Sequence, residues 1–113
     1  MNDSNHKAEI ALIIKKIRSD EFNIRDHVIR RFDERLLSRK NIINVITTLL
    51  EVHYQEIQST YRFIGYLDQD RPGGFTAVIN EGVWIVTVFR RKLSLAEKKK
   101  SLMSYDGGGN YEN

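Results

Sequence analysis

Apolar residues recur along the first half of the chain at helical spacing. Ile10, Ile13, Ile14 and Ile17 fall at i, i+3, i+4 and i+7, which predicts an amphipathic helix from Lys7 to about Arg18. A break over Asp20 to Asn23 is followed by a second predicted helix, from about Arg25 to Leu36. A third starts after Ser38, a suitable N-cap, and buries Ile42, Ile43, Val45, Ile46, Leu49 and Leu50.

After Glu51 the texture changes to short stretches rich in β-branched and aromatic residues. Residues 52–57, 60–67, 75–80 and 83–91 read as strands. They are separated by Gln58-Ser59, by the run Asp68 to Gly74 with the only proline, Pro72, and by Glu81-Gly82. Such close spacing predicts hairpins and an antiparallel four-stranded meander. Ser94 then opens a short lysine-bearing C-terminal helix. The expected architecture is a single α+β domain over residues 7–103, with N-terminal helices packed on the sheet and flexible termini at 1–6 and 104–113.

Composition narrows the functions available. The chain of 113 residues has no cysteine, which removes disulfides, thiolate metal sites and a cysteine nucleophile together. The longest apolar run near the start, Ile10 to Ile14, ends at Lys15-Lys16. No signal peptide, membrane span or membrane partner is expected, and the expected location is the cytoplasm. His6 and His53 each lack a second ligand at metal spacing, so neither a metal nor a cofactor is expected. Gly73-Gly74 and Gly107-Gly108-Gly109 lack the Lys-Ser/Thr of a phosphate loop and read as a turn and a tail.

Charge is distributed unevenly. The net charge is +3, yet the segments Arg25–Lys40 and Arg90–Lys100 together carry +8 and the remainder −5. A fold that joins the two clusters presents a cationic face to RNA or DNA; otherwise they are solvated surface. Arg30, Arg90, Arg91 and Lys92 are the candidate phosphate contacts. Tyr61 in its strand is a candidate stacking residue, although half-buried sheet aromatics are common. Trp84 reads as core or sheet edge.

On an unbroken helix, His27, Arg31 and Arg35 share an arc of about 80°. Val28, Ile29, Phe32 and Leu36 form an apolar stripe beside it. An imidazole beside two guanidiniums suits metal-free RNA cleavage: histidine moves the proton and arginine holds the phosphate as charge builds. The plainer alternative pairs both arginines with surface carboxylates such as Asp33 and Glu34.

The run His27-x-x-x-Arg31-x-x-x-Arg35, with a closing strand Val86-Thr87-Val88-Phe89-Arg90, resembles the DUF4258 family across about residues 22–93. It departs from that pattern at Leu36-Leu37-Ser38-Arg39, where the family carries a glycine. The family resembles a branch of the barnase/EndoU/colicin/RelE-type fold, in which many members are metal-independent ribonuclease toxins. The resemblance implies His27, Arg31, Arg35 and Thr87 as catalytic positions, with Arg90 adding charge. It also implies RNA as substrate and an acidic antitoxin or immunity protein as partner. The competing expectations are a nucleic-acid-binding module without turnover, and a phage or mobile-element protein that binds a host protein.

Overall fold

The computed structural model describes residues 6–91. Along the chain run α1 (Lys7–Arg18), β1 (Asn23–Ile24), α2 (Asp26–Ile29), α3 (Phe32–Arg35) and α4 (Arg39–Thr47). Then come β2 (Glu51–Gln55), β3 (Thr60–Asp68), β4 (Arg71–Ile79) and β5 (Val83–Arg90). The α+β architecture is as expected, but the sheet has five strands in the order β1-β5-β4-β3-β2 and is mixed. β2 to β5 run antiparallel in succession, and β1 lies parallel to β5. The short stretch read as a break thus supplies an edge strand. Two residues carry no periodic signal, and Ile24 is buried because β5 is there to receive it. The predicted C-terminal helix and the domain boundary at residue 103 lie outside the described residues. Within them no helix is long and apolar enough to cross a membrane.

α1 buries Ile13 and Ile17, and α4 buries Ile42, Val45 and Ile46, against Phe63, Phe75, Ala77 and Ile85 on one sheet face. Nine-residue α4 is held by polar as well as apolar contacts. Asn41 Nδ2 donates to Leu67 O at 2.7 Å and Asn44 Nδ2 to Tyr66 O at 2.8 Å, while Thr48 Oγ1 accepts the Tyr66 N–H at 2.8 Å. These three side chains satisfy β3 backbone groups where the β3–β4 register shifts. The helix can come so close because of Gly65, whose missing Cβ would lie 2.7 Å from Val45 O. Ser38 opens α4 in a capping box: its side chain accepts from the Asn41 backbone N–H, and Asn41 Oδ1 accepts the Ser38 N–H at 2.7 Å.

Two expectations are corrected. The turn between β3 and β4 is only Gln69-Asp70; Pro72, Gly73 and Gly74 belong to β4 and pair with Tyr66, Gly65 and Ile64. The glycines mark close backbone approach, because a Cβ on Gly73 would strike Phe89 O and one on Gly74 would strike Phe63 O. Pro72, second in the strand beside the irregular register, offers only its carbonyl, which accepts from Arg91 N at 2.9 Å. The second correction is that the helix expected over 25–36 is two short helices. They are separated at Arg30-Arg31, where Arg31 leaves helical geometry (φ −101°, ψ 0°).

Candidate phosphate-binding cleft at the edge of β5

β1 ends at Ile24, and the next residue, Arg25, makes the last backbone contact to that side of β5, donating to Ile85 O at 3.0 Å. Beyond it the carbonyls of β5 have no strand partner on that side among the described residues, and side chains from α2 and α3 take its place. His27 Nε2 donates to Val86 O at 2.9 Å and Arg35 Nη1 to Val88 O at 3.3 Å. Val86 is the residue skipped where the β4–β5 register shifts, since Thr76 pairs with Thr87 and Ala77 with Ile85. That bulge brings Thr87 to the exposed side while Val88 turns inward (8 % exposed).

α2, α3, the β3–β4 turn and β5 enclose an open cleft of about 1000 Å³. His27, Arg31, Arg35 and Thr87 all line it, as does Arg90. Because the helix is broken, these side chains do not share a helical stripe. They meet because α2 and α3 each lie along the rim of β5. The cleft also holds Arg71 and three carboxylates, Glu34, Asp68 and Asp70.

Arg71 is committed to structure. Its Nη2 lies 2.7 Å from Asp68 Oδ2, and its Nε donates to the same oxygen at 2.7 Å. Nη1 donates to Arg35 O at 2.7 Å and Nη2 to Leu36 O at 2.8 Å. It thereby caps α3, whose terminal Leu36 is left-handed (φ 52°). The Arg71 hydrogen bond holds the Asp68 carboxyl below the usual aspartate range, against a smaller opposing push from burial. With Arg71 matched by Asp68, the cations left to the cleft are Arg31, Arg35 and Arg90, facing Glu34 and Asp70. Arg31 makes no hydrogen bond or ion pair through its side chain among the described residues. Neither Arg31 nor Arg35 is tied up by Asp33 or Glu34.

Thr87 is held from behind. Its Oγ1 lies 2.6 Å from Oγ1 of Thr76, a residue only 8 % exposed. If Thr76 donates, the Thr87 proton points elsewhere, and a polarised Thr76–Thr87 pair is a stronger donor to an anion. Sequence reasoning missed Thr76, Asp68 and Arg71. The spacing Asp68-x-Asp70, which forms a local turn through Asp70 N to Asp68 Oδ1 at 3.0 Å, was the one available sign that the tight turn sat there.

The remaining candidates lie elsewhere. Arg30 is exposed at the end of α2 and does not line the cleft. Arg91 sits 3.5 Å from Glu51. Lys92 lies outside the described residues. Tyr61 is corrected: it is 7 % exposed and turned into the core, so it offers no face to a base. Its hydroxyl lies 3.1 Å from His6 Nδ1, and His6 stacks on Tyr54 with ring centroids 3.8 Å apart. Burial, with Glu9 and Tyr54 adding to it, pushes the Tyr61 hydroxyl above its ordinary pKa. His53 pairs with Glu51 at 2.7 Å. No group of three or more His, Asp or Glu among the described residues has the arrangement of a metal site. Comparisons with protein-family models, curated proteins and solved structures found no match for the chain.

Proposed function

We propose that the chain is a metal-independent ribonuclease-like protein of toxin type, binding an RNA phosphodiester in the β5-edge cleft. The observation that carries this reading is the tautomer imposed on His27. A carbonyl only accepts, so the contact to Val86 O requires the proton on Nε2 and leaves Nδ1 as the basic nitrogen of the neutral ring. Nδ1 has no partner among the described residues, in a cleft shared with the unpaired Arg31 and with Thr87.

In this reading Nδ1 takes the proton of the 2′-hydroxyl, and O2′ bonds to phosphorus as the bond to O5′ breaks. The products are a 2′,3′-cyclic phosphate and a 5′-hydroxyl protonated by water from the open cleft. Arg31 holds the non-bridging oxygens while their charge grows, and Thr87 donates to one of them. Arg35 and Arg90 add field, Arg35 less effectively because it is shared with Val88 O. An antitoxin or immunity protein suited to this site would present carboxylates to the same arginines.

The test is incubation of single-stranded RNA with the protein in EDTA. The expected product is a 2′,3′-cyclic phosphate, with 2′-deoxy substrate resistant and His27→Ala and Arg31→Ala each slower by about 100-fold or more. Full-rate cleavage by His27→Ala would remove the mechanism. One observation favours a second reading: the bonds of His27 and Arg35 also close the free edge of β5. A protein using them only for that purpose binds RNA with steep salt dependence, without turnover and without arresting growth when expressed.

A further inference from the structure

α1 and α4 pack on one face of the sheet, and on the other face Ile64, Tyr66 and Thr76 are buried while Arg62 and Trp84 are half-buried. On that second face, cross-strand register aligns Thr87 with Thr76, Arg62 and His53, and Trp84 with Val78 and Asn23. Val83 and Ile85 are 1 % and 0 % exposed and point to the core, so Trp84 between them faces outward, half-buried. Arg25, two residues after Asn23 and just past the end of β1, places its guanidinium carbon 4.9 Å from the centre of the Trp84 ring. Arg62 does the same over Phe89 at 4.1 Å. Neither arginine meets a carboxylate among the described residues.

Both halves of the first stack are anchored. Trp84 Nε1 donates to Asn80 O at 3.0 Å, and Arg25 N donates to Ile85 O at 3.0 Å. A fixed aromatic ring under an unneutralised guanidinium plane is the arrangement on which unpaired bases stack, with the cation serving the adjoining phosphate. Its position agrees. Arg25 is two residues from His27, and Trp84 is three residues from Thr87, about 10 Å along the strand. A chain with one phosphate at His27 and Thr87 brings a neighbouring base over Arg25 and Trp84.

We propose that Arg25 and Trp84 form a stacking site for an unpaired base of single-stranded RNA, next to the β5-edge cleft. The inference rests on the RNA reading of that cleft for its ligand class. Duplex RNA, whose bases are already stacked, does not fit.

Trp84 is the only tryptophan in the chain, so its emission reports on this site alone. The experiment titrates the full chain with a short 2′-O-methyl oligoadenylate, which 2′-hydroxyl attack cannot cleave, and with an abasic sugar–phosphate oligomer of equal length. Oligoadenylate should quench Trp84 emission saturably, while the abasic oligomer binds without quenching. By fluorescence anisotropy of labelled oligomers, Trp84→Leu should weaken oligoadenylate about tenfold and leave the abasic oligomer unchanged. Equal quenching by both oligomers overturns the stacking site and leaves an electrostatic surface. Oligoadenylate binding that Arg31→Ala weakens, with Trp84 emission unmoved, overturns the stacking site while the cleft reading stands. Absence of binding by either oligomer overturns both.

Discussion

Arg71 joins two parts of the molecule through one planar side chain: the β3–β4 turn through Asp68, and the end of α3 through the carbonyls of Arg35 and Leu36. Replacing it with alanine removes the ion pair and both carbonyl bonds. The pair is modest, because the Asp68 side chain is 42 % exposed, and contributes at most about 1 kcal/mol. Each bond from the charged fork to a carbonyl, in a setting where water can partly replace it, contributes about 1 kcal/mol. Arg71→Ala should therefore destabilise by about 2–3 kcal/mol, lowering Tm by about 10–20 °C for a domain of this size. Arg71→Lys should recover less than half of that, since an ammonium cannot hold the carboxylate and two diverging carbonyls together. The sign with pH follows from the depressed Asp68 pKa. Its contribution is complete above the ordinary aspartate value of about 3.9 and is lost as pH falls through the lower, folded value. Denaturant unfolding of the wild type and both variants between pH 7 and pH 2 measures this, and the acid loss should be smaller in Arg71→Ala. The reasoning is refuted if Arg71→Ala lies within about 0.5 kcal/mol of wild type, or if Arg71→Lys matches the wild type.

Other substitutions separate structure from chemistry. His27→Gln keeps an N–H able to reach Val86 O but has no basic nitrogen, so thermal unfolding should change little while RNA cleavage falls as far as in His27→Ala. Thr76→Val keeps the shape but leaves Thr87 unsupported; kcat for RNA cleavage should drop about tenfold, with Thr76→Ser close to wild type, and equal activities of the two variants would exclude a positioning role. Gly74→Ala must force β3 and β4 apart, so a loss of more than about 3 kcal/mol in chemical denaturation is expected. Asn44→Ala removes the shorter of two side-chain bonds to the Tyr66 carbonyl, leaving the 3.4 Å contact from Thr48 Oγ1, and should destabilise by about 1 kcal/mol in the same assay.

The cleft shows how residues read from one geometry can line a single cavity through another. A continuous helix places His27, Arg31 and Arg35 within one arc, and the three line one cleft. The helix is broken at Arg30-Arg31, however: His27 and Arg35 donate to β5 carbonyls that have no strand partner among the described residues, and Arg31, at the break, lines the same cleft without such a bond. Tyr61 shows the opposite error: a plausible stacking residue by composition faces the core, and Trp84 on the next strand but one carries the outward aromatic surface.

Features that repeat at short range are legible along the chain. The isoleucine spacing of α1, the Ser38 cap and apolar side of α4, and the β-branched runs of β2 to β5 can be read from neighbouring residues, because each is a local preference repeated over several positions. The rest arises from contacts between distant segments. A two-residue strand, glycines needed for close backbone approach, the β5 bulge and the Arg71 clamp depend on residues tens of positions away, whose partners appear only when the chain has closed on itself. The cleft belongs to this second group, because its residues face one another only where the helices replace a missing strand.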